Sequence, residues 1–194
     1  MSLVPTPSQT AGPYFHLGMT DTRSVSRIAG PEIKGERLWL TCRVLDGDGA
    51  PVPDAMIEIW QADAEGKYHG PENSLDHAEK TAEDFSWVGF GRMPTAEDGS
   101  CQFETIKPGR VPGAGSALQA PHLNVAIFAR GLLKHFYTRI YFAGDPANSE
   151  DEVLALVEPQ RRETLIAQPD PARAGHWRSG IHLQGERETV FFDV

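Results

Sequence analysis

Leu38, Leu40, Cys42 and Val44 fall on alternate residues and run straight into Asp46-Gly47-Asp48-Gly49. Successive side chains on a strand point to opposite faces, so this run is a strand with one buried face, and the Asp/Gly cluster after it is a turn. Similar short runs occupy Ala55–Trp60, Cys101–Ile106, Leu123–Ala129, Phe136–Phe142, Ile181–Gln184 and Thr189–Phe192, with Gly or Pro in several of the connections. Strands of this length and density predict an all-β fold built as a two-sheet sandwich. One short helical segment is expected near 150–166. Glu150–Val157 has acidic residues first and Val153, Leu154 and Val157 at helical spacing, and Gln160–Ile166 adds a turn or two beyond Pro159. Residues 1–14 read as an N-terminal arm and 15–194 as one sandwich domain. Thr22–Gly35 and Gly66–Gly91 are long, polar and punctuated by Gly, Pro or Asp, which makes them candidate subunit contacts.

The 194 residues are 40% hydrophobic, enough for one sizeable core, and carry a net charge of −9. No Lys/Arg run exceeds the pair Arg161-Arg162, so the chain lacks the basic footprint that a nucleic-acid backbone requires. Met1–Pro13 has neither a basic start nor an apolar run, and no stretch approaches the ~20 apolar residues of a membrane span, which points to the cytoplasm. The two cysteines, Cys42 and Cys101, lie in separate strand-like runs and read as reduced core thiols. No CxxC or HExxH spacing supports a zinc site.

Three segments carry the chemistry: Glu65-Gly66-Lys67-Tyr68, Glu104-Thr105-Ile106-Lys107-Pro108-Gly109 and Ala120-Pro121-His122-Leu123-Asn124. Together they resemble the iron-site half of the intradiol ring-cleaving dioxygenases, in which two Tyr and two His bind ferric iron. Tyr68 and His122 match two ligand positions. The other two are Val111 and Asn124, and Gln119 stands at the position of an Arg. Ferric iron is hard and highly charged and favours phenolate oxygens with imidazoles. Val111 offers no donor and Asn124 only a neutral amide oxygen, so a metal site in this chain is not expected.

Further stretches resemble one branch of that family, the protocatechuate-cleaving enzymes. They are Thr6–Tyr14, Ile59-Trp60-Gln61-Ala62-Asp63, Leu123–Phe142, Pro159–Ala167 and Gly185–Asp193. In that branch an iron-free α chain pairs with an iron-bearing β chain in a large α/β hetero-oligomer. The resemblance implies that Fe(3+) is held by the β subunit, that the arm packs on that partner, and that this chain supplies one wall of its substrate pocket. It implies Thr10, Gly12, Pro13 and Arg130 as substrate-proximal residues. An Arg suits a carboxylated catechol because its guanidinium is planar and always charged, and Gly12 permits close backbone approach. The implied reaction joins O2 to protocatechuate and yields 3-carboxy-cis,cis-muconate, a step of aromatic catabolism through β-ketoadipate. Two other readings stay open: a non-enzymatic transthyretin-like binding or scaffold module, and a homo-oligomeric dioxygenase drawing ligands from Tyr68, His122, His69 or His77.

Overall fold

The computed structural model describes residues 9–12, 14–21, 23–68 and 89–193. Pro13, the first eight residues of the arm, His69, His77 and most of the stretch 66–91 lie outside the described residues. A short helix α1 (Tyr14–Met19) is followed by β1 (Arg37–Leu45), β2 (Met56–Trp60), β3 (Phe90–Pro94) and β4 (Ser100–Ile106). Next come the two-residue strands β5 (Val111–Pro112) and β6 (Leu118–Gln119), then β7 (His122–Phe128) and β8 (Phe136–Phe142). A 3₁₀ turn (Pro146–Glu150), helix α2 (Glu152–Leu156) and a second 3₁₀ segment (Pro159–Leu165) lead into β9 (Ile166–Pro169) and β10 (His176–His182).

The main sheet has the order β3-β2-β7-β8-β9-β10-β1-β4. β9 joins its two halves. It runs parallel to β8 at Tyr141↔Ile166 and Phe142↔Ala167, and antiparallel to β10 at Trp177↔Pro169 and Arg178↔Gln168. The halves share one core, in which Leu38, Leu40, Cys42 and Val44 of β1 and Phe103 of β4 meet Ile57 and Ile59 of β2, Leu123, Val125 and Ile127 of β7, and Ile140 and Phe142 of β8. Burying each large apolar side chain is worth ~1.5–3 kcal/mol. This common core makes the fold sandwich-like, as the alternating runs imply. Cys42 and Cys101 are free, buried and directly opposite one another on β1 and β4.

Several expectations need correction. Thr189–Phe192 is no strand; it meets the sheet through a bridge at Tyr137↔Phe192, beside a part of β8 that the short β9 leaves unpaired, and through hydrogen bonds of Thr189 to His182 and of Thr138 to Val190. The strand expected at Ile181–Gln184 begins earlier, at His176, and ends at His182, because its partner β1 reaches back to Trp39. The helical turns expected past Pro159 are present, and they are 3₁₀ in form. Part of Thr22–Gly35 packs tightly: Val25 bridges Arg92, Arg27 bridges Glu104, and Ile28 and Ala29 are fully buried.

Candidate functional site

β7 divides its side chains between two environments. Leu123, Val125 and Ile127 face the core, while His122 and Asn124 lie on the other face beside their β8 partners Tyr141 and Arg139. That face is covered by a second apolar cluster of Ala120, Tyr141, Ala147, Leu154, Val157 and Leu165. Asp151 ties the cover down. Its carboxylate is buried and accepts from Ala120 N at 2.7 Å and Tyr141 OH at 3.1 Å, and it also caps α2 by accepting from Val153 N and Leu154 N at 3.0 and 2.7 Å.

Two interlocked loops bring Tyr68 and Val111 to this face. Asp63 Oδ1 accepts from the amides of Glu65 and Lys67, and Gly109 N donates to Asp63 O. Gly66 has φ 80°, and a Cβ there would lie 1.9 Å from Arg110 O, so only glycine fits. Tyr68 OH then accepts a hydrogen bond from Asn124 Nδ2 at 2.8 Å. Val111 pairs with Gln119 across β5 and β6. Arg139 Nη1 donates to Gln119 Oε1 at 2.9 Å and to Tyr141 OH at 3.3 Å. His122 Nδ1–H donates to Ala120 O at 2.8 Å, which leaves Nε2 as the bare nitrogen of the neutral ring. Tyr68, Val111, Gln119, His122 and Asn124 thus converge on one spot, and Arg139 joins them there.

Burial and the charge of Arg139 dominate the electrostatics of this spot, at whose edge Tyr68 is half exposed. Burial, and then the charge of Arg139, push the His122 pKa down to about 4. Burial raises the Tyr68 phenol above its ordinary range, with the Asn124 hydrogen bond and Arg139 partly opposing it. Burial pushes Tyr141 up to about 12. Ferric iron does not fit this donor set: Val111 has no lone pair, Asn124 directs its NH₂ at Tyr68, and a guanidinium lies among the remaining groups.

Of the other predicted residues, Thr10 and Gly12 lie together beyond the far end of β7, and Arg130 lies apart from them. Thr10 Oγ1 accepts from Gly131 N at 2.9 Å, and Phe15 packs on Phe128 with ring centroids 5.7 Å apart. Thr10, Gly12, Phe15, Phe128 and His135 line a cleft of about 130 Å³. A Cβ on Gly12 would meet nothing within 4 Å, so no close approach within this chain demands glycine there. Arg130 turns away from that cleft. Its Nε lies 2.7 Å from Asp54 Oδ2, in a separate groove of about 610 Å³ shared with Thr20, Asp21 and Glu97. Arg130 lies six positions past Asn124, beyond the end of β7 at Phe128, and neither its groove nor the Thr10 cleft shares a lining residue with the Tyr68–His122 centre of the same chain. Arg139, Asp151 and Asp54 escape sequence reasoning. Alternation along Phe136–Phe142 puts Arg139 on the face of Tyr141, but only the β7–β8 register puts it opposite Asn124.

The Dioxygenase_C family, described as dioxygenase, matches residues 10–185. The chain is 43% identical to the protocatechuate 3,4-dioxygenase alpha chain of Pseudomonas putida over 97% of its own length and 96% of that chain. It is 33% identical to the protocatechuate 3,4-dioxygenase beta chain of Burkholderia cepacia, over 80% of its own length and 67% of the relative's. Among solved structures, the dioxygenase domain of a dioxygenase carbohydrate-binding protein fusion from Streptomyces sp. SirexAA-E superposes with a TM-score of 0.63 at 26% identity, covering 94% of this chain and 99% of that one.

Proposed function

The chain belongs to the intradiol-type Dioxygenase_C family, and on that premise we propose that it is the α chain of a protocatechuate 3,4-dioxygenase, a subunit of an enzyme and not a catalyst by itself. The observation that carries this reading is the near end-to-end identity with an α chain, against a lower and shorter match to a β chain. In this reading a homologous β subunit completes the enzyme as a larger α/β hetero-oligomer in the cytoplasm. The assembly cleaves protocatechuate with O2 to 3-carboxy-cis,cis-muconate. Ferric iron, held by the β subunit, supplies the activation of the catechol ring toward O2.

The work of this chain is to bind and to exclude water. Thr10 fixes the arm against Gly131, which presents Gly12 as a wall with no side chain projecting from it, and Pro13 follows it in the sequence as a further substrate-proximal candidate. Arg130 is a cation at the same end of β7, held by Asp54 until a carboxylate competes for it. The separation of these groups from the Tyr68–His122 centre supports a role toward a pocket on another chain.

Co-expression with a β homologue tests the proposal. The two chains should co-purify, and O2 uptake with protocatechuate should appear only in the complex. Stoichiometric ferric iron and turnover in this chain alone would overturn the reading.

A further inference from the structure

We propose that the Arg139 guanidinium stands in for a metal's charge at the Tyr68–His122 centre and closes that centre to metal ions. The inference rests on the family reading above and concerns what has become of the centre in this chain. Every position that would line a metal there leads to Arg139. Val111 pairs with Gln119, Gln119 Oε1 accepts from Arg139 Nη1, Arg139 sits opposite Asn124, and Asn124 Nδ2 donates to Tyr68 OH. His122 is two residues from Asn124 on the same face of β7, opposite Tyr141, which Arg139 also contacts. The guanidinium is held by two neutral acceptors, Gln119 Oε1 and Tyr141 OH, and Tyr141 in turn donates to the buried carboxylate of Asp151. The cation is therefore anchored by neutral groups, with no carboxylate among the described residues hydrogen-bonded to it directly. An incoming ferric ion would meet a fixed like charge among its would-be ligands.

The consequence is that loss of ligands alone does not account for the absence of a metal-binding centre; a second lock has been added. The test compares two variants of the full chain. One restores donors, Val111→Tyr with Asn124→His, and the other adds Arg139→Gln. After loading with ferric iron, the first should stay nearly iron-free. The second should take up roughly tenfold more, approaching one ion per chain, with a phenolate-to-iron band in the visible. Equal loading of the two variants overturns the proposal, and so does failure of both to bind iron. Because either variant could fold poorly, a measurement on the unaltered chain stands beside them. The ¹⁵N relaxation of the Arg139 Nε–H should report a side chain as ordered as the backbone of β8, and a mobile guanidinium overturns the proposal. Neither measurement needs the β partner or turnover, so its failure is distinguishable from failure of the proposed function.

Discussion

Replacing Arg130 with Ala in the assembled α/β complex separates a substrate-binding role from a structural one, because the two carry different magnitudes. In the free chain the residue's visible task is its ion pair with Asp54, in which the side chains are 68% and 32% exposed. Exposed pairs contribute ~0.2–1 kcal/mol, so Arg130→Ala should lower the melting temperature by only a few degrees in a domain of this size. A charge-assisted contact to a substrate carboxylate is worth about 1.5–3 kcal/mol, so its loss should lower kcat/KM for protocatechuate by roughly ten- to a hundredfold. Asp54→Asn should act in the opposite direction, releasing the guanidinium and lowering KM. Steady-state O2 uptake, thermal melting and iron content measured on one preparation give all three numbers, and iron should not change. Unchanged kcat/KM in Arg130→Ala refutes the substrate role. A loss that merely follows the yield of complex assigns Arg130 to assembly.

Removing residues 1–13 should weaken assembly and raise KM, since Thr10 is tied to Gly131; normal assembly and kinetics would exclude the arm from the pocket wall. Asp151→Ala should cost about 3–5 kcal/mol in chemical denaturation, combining a lost helix cap with buried donors on Ala120 and Tyr141 left without an acceptor; a loss below ~1 kcal/mol contradicts the anchoring role. His122 should make folding sensitive to acid. Its native pKa of about 4 lies below the ordinary value of 6.5, so the unfolded chain binds the proton first, and stability falls as pH drops from about 6.5 toward 4. The full effect is of order 3 kcal/mol, and His122→Gln should flatten the stability–pH curve in that interval.

What the sequence discloses is decided by how local the cause is. β1 and β4 are legible because each buries one face and the alternation prints itself on the chain, and β7 and β8 because burial on both faces makes them short runs rich in apolar and aromatic residues. β9 is not, since Ile166–Pro169 has no pattern of its own and becomes a strand only by lying between β8 and β10. β3 contains Gly91 and Arg92 and owes its pairing to β2. In the site, the defects at Val111 and Asn124 are plain from residue type. The filling of the gap by Arg139, and the choice of Arg130 for Asp54, depend on register and loop geometry that no short motif records.

β7 separates two sets of polar groups, His122 and Asn124 at its start and Thr10 and Arg130 past its end, and the apolar stretch from Asn124 to Phe128 alone spans roughly 13 Å. At that distance substitutions act additively, so selection on one end leaves the other untouched. Substitutions at Val111 or Asn124 therefore leave the Thr10–Gly131 contact and the Arg130–Asp54 pair as they are. The two ends of one strand are thus free to change separately within an unchanged fold.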